Sequence, residues 1–243
     1  MKTAPLVLIP AFNEEKTIAA VVSRVLEVLP EAEVVVVDDG SRDSTAALAS
    51  SAGAKVLSLP FNLGYGSALQ TGFKYALSRP FGYLVTIDGD GQHDPACITD
   101  LIRELDRGDW DLVIGSRFLS SPDRPDWSYQ APLMRRLGMR FFSSLTSLIV
   151  GQRITDPTSG YLAMRRGVVE FCTQDIYPID YPDADVIIML HRAGFKISEA
   201  PVKMRDDPEG DSMHQGLRPL YYIFKVLLSI LVTLLRQRPR LER

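Results

Sequence analysis

At 243 residues, 46% apolar and 23% charged, the chain is long enough for one α/β domain with a substantial core and too average in composition for disorder or a fibrous repeat. A net charge of −3 and a pI near 5.7 exclude a general electrostatic drive toward nucleic acid. The two cysteines, Cys97 and Cys172, stand in apolar helical contexts without metal spacing, which points to a reduced, cytoplasmic chain.

The opening apolar run, Pro5 to Pro10, is short and leads directly into Asn13-Glu14-Glu15, so it reads as a first strand and not as a signal peptide. From there to Phe118, apolar runs alternate with amphipathic segments, the signature of a mostly parallel sheet flanked by helices. The predicted strands are Leu6–Pro10, Val34–Val37, Lys55–Leu59, Tyr83–Ile87 and Asp111–Ile114. Asn13 is the expected cap of a first helix whose stripe is Ile18, Val21, Val22, Val25 and Leu29, and Pro30 ends it. Ser41 or Asp43 caps a second helix, and Gly66–Leu77 forms a third. Gly64 and Gly66 read as a tight loop, since no P-loop lysine follows and the first strand lacks a Rossmann glycine turn.

Three of these strands end in polar punctuation: Pro10-Ala11-Phe12-Asn13-Glu14, Asp38-Asp39-Gly40-Ser41 and Asp88-Gly89-Asp90-Gly91-Gln92. In a parallel sheet they share one edge, where open α/β folds place ligands. Asp88, Asp90 and the amide oxygen of Gln92 make a hard oxygen-donor set suited to Mg²⁺ or Mn²⁺, although Asp and Gly are also ordinary turn residues. Glu14 or Asp39 can accept from a base or a ribose, and Phe12 offers a face to a ring. Capping and core packing are the bland readings of the same residues.

Beyond Phe118, Ser120–Pro132 is a proline-rich loop, and Leu133–Val150 has helical periodicity with Arg135, Arg136 and Arg140 near its start. Cations there oppose the helix dipole, so an anion site shared with Arg117 competes with a merely exposed turn. Asp156–Tyr161 is a turn, followed by a helix over Asp185–Arg192 and a strand over Phe195–Val202, with Asp183 and Asp185 as default caps. Residues 205–216 are polar, and the three histidines, His93, His191 and His214, show no zinc spacing. The last apolar run, Leu220–Leu235, covers about 24 Å as a helix, short of the ~30 Å bilayer core. Arg218, Lys225, Ser229 and Arg236 fall on one stripe, so residues 217–243 are expected to form an amphipathic helix and basic tail on the bilayer surface, cations toward the head groups, apart from a catalytic domain over 1–216. The alternative is a helix packed on the domain.

The five motifs at Ile9–Glu15, Val37–Ser41, Asp88–Pro95, Gly115–Phe118 and Asp156–Tyr161 together resemble the family-2 inverting glycosyltransferases of the GT-A fold, and most of all their dolichyl-phosphate mannose synthase and polyprenyl-phosphate glycosyltransferase branch. The resemblance implies a Rossmann-like, mostly parallel sheet, a UDP- or GDP-sugar donor, Mg²⁺ or Mn²⁺, and a polyprenyl phosphate acceptor; with the C-terminal amphipathic helix, the expected location is the inner face of the membrane. Position by position, Pro10, Phe12, Glu14 and Asp39 match nucleoside contacts. Asp88, Asp90 and Gln92 match the metal and diphosphate cluster, and Arg117, Arg136 and Arg140 match holders of the acceptor phosphate. Asp185 stands where many relatives have glutamate. Where the branch carries cations after the last strand, this chain has Asp207, Gly210, Ser212 and Met213, leaving Arg205 or His214 to substitute.

An anionic phosphate acceptor needs positioning by arginines and no strong base. A hydroxyl acceptor, on a saccharide or lipid, would need one, with Asp156 and Asp185 as candidates. A catalytically silent nucleotide-sugar-binding or membrane-scaffold protein, with a membrane-protein partner, is the rival of a different class.

Overall fold

Side-chain alternation along the first strand sets the layering. In β1 (Leu6–Ala11), Leu6 and Leu8 enter one buried cluster while Val7 and Ile9 enter another, because successive strand residues point to opposite faces. β2 (Glu33–Asp38) repeats this with Val35 and Val37 against Val34 and Val36. Apolar runs of this kind suit strands covered on both sides. In the computed structural model, which describes residues 4–120, 124, 127, 133–178, 182–205 and 218–236, the remaining strands are β3 (Lys55–Ser58), β4 (Leu84–Thr86), β5 (Leu112–Ser116), β6 (Leu162–Met164) and β7 (Ile197–Pro201).

The seven strands lie in the order β3-β2-β1-β4-β6-β5-β7, all parallel except β6, which runs antiparallel to both its neighbours. One face is covered by α1 (Ile18–Val28), α2 (Thr45–Ser51) and α4 (Ile98–Arg107), the other by α3 (Tyr65–Leu77), α6 (Arg166–Cys172) and α7 (Ala184–Ala193). The mostly parallel, helix-flanked sheet is therefore as expected. β6 and α6 are not expected from the residue pattern, which predicts no element between the turn at Asp156–Tyr161 and the helix at Asp185. A three-residue strand filling the gap between β4 and β5 carries too little alternation to register as one.

A third cluster joins α5 (Leu133–Val150) and α8 (Arg218–Leu235) to α7 through Phe142, Val150, Ala184, Ile188, Val226 and Ile230. Two members of the predicted polar stripe of α8, Ser229 and Arg236, are taken up by packing. Ser229 donates to the Asp185 carboxylate, Arg236 donates to Ile176 O, and Arg192 of α7 donates to the carbonyls of Thr233, Leu234 and Arg236. What α8 turns outward is apolar: Phe224, Leu228, Leu231, Val232 and Leu235. Most of Ser120–Pro132, and the segment 206–217 with Asp207, Gly210, Ser212, Met213 and His214, lie outside the described residues.

Candidate active site

Because β1, β2, β4 and β5 are parallel, the loops after them meet at one sheet edge, as the strand pattern predicted. The loops are stitched together by backbone donors and short side chains. Asn13 does not cap α1; it takes a positive φ of 58°, its N–H donates to Ser41 Oγ, and its own Oδ1 accepts from Arg42 N, joining the first loop to the second. Asp43 accepts from Thr45 N at the start of α2, while Ser41 is spent on Asn13 and on its own N–H bond to Asp38 Oδ1. Asp39 is buried with both carboxylate oxygens receiving backbone N–H groups, from Leu63 at 2.7 Å and Gly64 at 2.9 Å. It thus fixes the Phe61–Gly64 loop, against which Gly40 (φ +71°) packs so closely that a Cβ would lie 2.6 Å from Phe61 C.

On this edge Pro10 is buried at the end of β1, and Phe12 after it is 42% exposed. Glu14 follows, half-buried and bonded to Thr17 Oγ1. Loss of solvent raises its pKa, and the nearby carboxylates of Asp90, Asp88 and Asp43 push it the same way against the Thr17 bond. Asp88 sits at the centre. Its Oδ1 accepts from Tyr65 OH at 2.8 Å, its Oδ2 lies 3.5 Å from His93 Nδ1, and a Cβ at Gly160 would come within 3.0 Å of both oxygens. Burial raises the Asp88 pKa, with Tyr65 and the Arg117 guanidinium opposing. Asp90 Oδ1 accepts from Gln92 N, and Gln92 O accepts from Arg205 N at 2.7 Å.

Arg117, at the end of β5, is brought to this edge but is not an open cation. It is 7% exposed and grips Asp156 with Nε at 2.7 Å and Nη2 at 2.8 Å, while its backbone N–H also donates to Asp156. Asp156, with no exposed surface, is therefore the counter-ion of Arg117 and not a base facing substrate. Behind it Glu199 of β7 accepts from the N–H groups of Thr155 and Asp156, and burial raises its pKa. Asp185 is likewise removed from the site. It is 1% exposed and accepts from Asp183 N, Val186 N and Ser229 in the α7–α8 packing, with its pKa raised by burial. Arg136 and Arg140 are exposed on α5. Ser143, one turn beyond Arg140, donates to Ile154 O, which sets this helix beside the Asp156 turn.

Among the described residues no three His, Cys, Asp or Glu side chains converge on a single metal position. The donor set still fits a hard cation: two carboxylates of one strand end, Asp88 and Asp90, with Glu14 close enough to be repelled by both. Mg²⁺ is commonly held this way, by one or two carboxylates with substrate phosphates completing the shell. Tyr65, His93, Gly160 and Glu199 were not singled out from the sequence. For Tyr65 the available signal was its place between two glycines at a helix start; for His93 it was adjacency to the aspartates.

The glycosyl transferase family 2 model matches residues 6–172. The chain is similar to a polyprenol monophosphomannose synthase of Mycolicibacterium smegmatis, 30% identical over 91% of this chain and 84% of that one. It is also similar to an undecaprenyl-phosphate mannosyltransferase of Micrococcus luteus, 30% identical over 87% of each. Its fold is that of Mycobacterium tuberculosis glucosyl-3-phosphoglycerate synthase, solved with Mn²⁺, UDP and phosphoglyceric acid, at a TM-score of 0.69 with 21% identity over 95% of this chain and 78% of that one. By sequence match and by fold, the chain belongs to glycosyl transferase family 2.

Proposed function

We propose that the protein transfers a sugar, with inversion, from a UDP- or GDP-sugar to a polyprenyl phosphate, using a divalent cation, at a membrane surface. The observation that carries this is the convergence of Phe12, Glu14, Asp88 and Asp90 on one sheet edge, in a chain whose relatives are named for polyprenyl-phosphate mannosyl transfer. Phe12 offers a face to the base, and Glu14 accepts from base or ribose. Asp88, Asp90 and the Gln92 amide would hold Mg²⁺ or Mn²⁺, which supplies neutralisation of the charge that develops on the leaving diphosphate. Arg117, locked by Asp156, acts as a fixed positive charge beside Asp88, and Arg136, Arg140 and Arg205 are the exposed cations available to the acceptor phosphate.

A hydroxyl acceptor requires a free carboxylate base. Both carboxylates considered for that role, Asp156 and Asp185, are buried and fully engaged. A phosphate monoester is already anionic near neutral pH and needs orientation only. For the membrane, no helix among the described residues is long and apolar enough to cross a bilayer. The exposed Phe224, Leu228 and Leu231 of α8, together with Leu137, Phe141 and Leu148 of α5, form apolar rows suited to lying on one.

Radiolabelled UDP- and GDP-sugars incubated with polyprenyl phosphate and Mg²⁺ should yield an acid-labile glycolipid, and no product from any sugar would overturn the reading. Asp90→Ala should abolish turnover; an indifferent variant would favour a silent binding protein. A thermal-shift screen of the same donors with Mn²⁺ identifies the base, since binding raises apparent stability with affinity.

A further inference from the structure

Among the described residues, one buried polar group that the proposed chemistry leaves unused is His93. Its side chain is 3% exposed, and neither ring nitrogen has a hydrogen-bond partner. Buried polar atoms are rarely left so, because an unpaired donor forfeits its hydration without return. Ring and backbone are both held. It leans on Tyr161 at 5.1 Å between centroids, and Tyr161 OH is itself tied to Asp94 O. The backbone is clamped to the segment just after β7 by a bridge to Met204, with Asp94 N donating to Lys203 O and Arg205 N to Gln92 O. Its Nδ1 edge faces Asp88 Oδ2 at 3.5 Å, too long for a made hydrogen bond and short enough to become one when the carboxylate turns.

Direct ligation of a cation by this imidazole is disfavoured on access, since both nitrogens are covered and an ion would need an open face. We propose that His93 is a positioning residue: its Nδ1–H takes hold of Asp88 Oδ2 when the carboxylate closes on the cation, as Tyr65 OH holds Oδ1. Asp88 is then gripped on both oxygens from the protein side, and its outward lone pairs are left for the ion. Partners that orient a ligating carboxylate in this way contribute to metal affinity without touching the metal. The proposal rests on the reading of Asp88 as a cation ligand.

The test is Mn²⁺ affinity with UDP present, from the loss of the free-ion EPR signal on titration, for the wild type, Asp88→Asn, His93→Phe, His93→Asn and His93→Gln, each checked for folding by its melting curve. An asparagine amide places an N–H near the Nδ1 position, a glutamine amide near Nε2. His93→Phe should weaken Mn²⁺ binding about ten- to a hundred-fold, and His93→Asn should recover it to within about threefold of wild type while His93→Gln does not. Wild-type affinity in His93→Phe, or His93→Asn no better than His93→Gln, overturns the role of His93. If His93→Phe does not fold, the Asn and Gln pair decides. Unchanged affinity in Asp88→Asn would instead remove the cation reading itself, and the His93 role with it.

Discussion

Asp156 and Asp185 show how the same residue type serves two ends once burial is known. Each is within 1% of complete burial, and each is spent on structure. Asp156 answers Arg117, and a buried carboxylate removed from its guanidinium leaves an uncompensated charge. Asp156→Ala should therefore destabilise the fold by about 3–5 kcal/mol, read from denaturant midpoints at constant m-value. Asp185 makes the stability depend on pH. Burial raises its pKa above its ordinary 3.8, so its contribution is most favourable in acid and is lost as pH rises through the raised value. Asp185→Asn is neutral at every pH and keeps acceptors for Asp183 N and Val186 N, with its amide able to donate to Ser229 Oγ. Its melting temperature should match the wild type in acid, exceed it by a margin that opens as pH rises through the raised value, and keep that margin above it; a gap that shrinks with pH would contradict the assignment.

Elements with long, strong periodicity were legible in the chain, and elements defined by their neighbours were not. The apolar runs of β1 and β2 announce strands buried on both faces, and the Ile18–Val25 stripe announces α1. β6 is three residues long and exists because β4 and β5 leave a strand-wide gap, a fact of tertiary geometry. The site divides in the same way. Asp88 and Asp90 stand out as a motif, whereas the use of Asp39 on the Leu63 and Gly64 amides, and of Arg117 on Asp156, depends on contacts 24 to 39 residues away. α8 was readable as amphipathic, but which side it shows could be known only once Asp185 had claimed Ser229. Its exposed face is apolar, so replacing Phe224 and Leu231 with glutamate should abolish co-flotation with liposomes while leaving the melting curve unchanged. Flotation that persists would argue against this face as the contact. Gly40→Ala should cost at least about 1–2 kcal/mol from the left-handed backbone alone, with the approach of Phe61 adding to it, as a melting shift would record.

At the scale of the whole molecule, α7 connects two surfaces of different character. Its first turn stands with Asp183 and Val186 beside Tyr65 and Gly160, the groups that press on Asp88. Along its flank lies α8, running the same way, with residue 185 opposite 229 and residue 192 opposite 233 to 236. Packed helices lie about 8–10 Å apart between axes, and that spacing is all that separates α7 from the helix that shows apolar residues outward. On the proposal that this apolar face lies on a bilayer, so thin a spacer lets the catalyst meet its second substrate by lateral diffusion, at head-group level, without drawing the isoprenoid tail into water. Its velocity should then follow the mole fraction of polyprenyl phosphate in the film and not the molarity in the tube. Adding inert phospholipid at a fixed total of acceptor should slow the reaction, and a rate indifferent to such surface dilution would show that the acceptor is taken from solution.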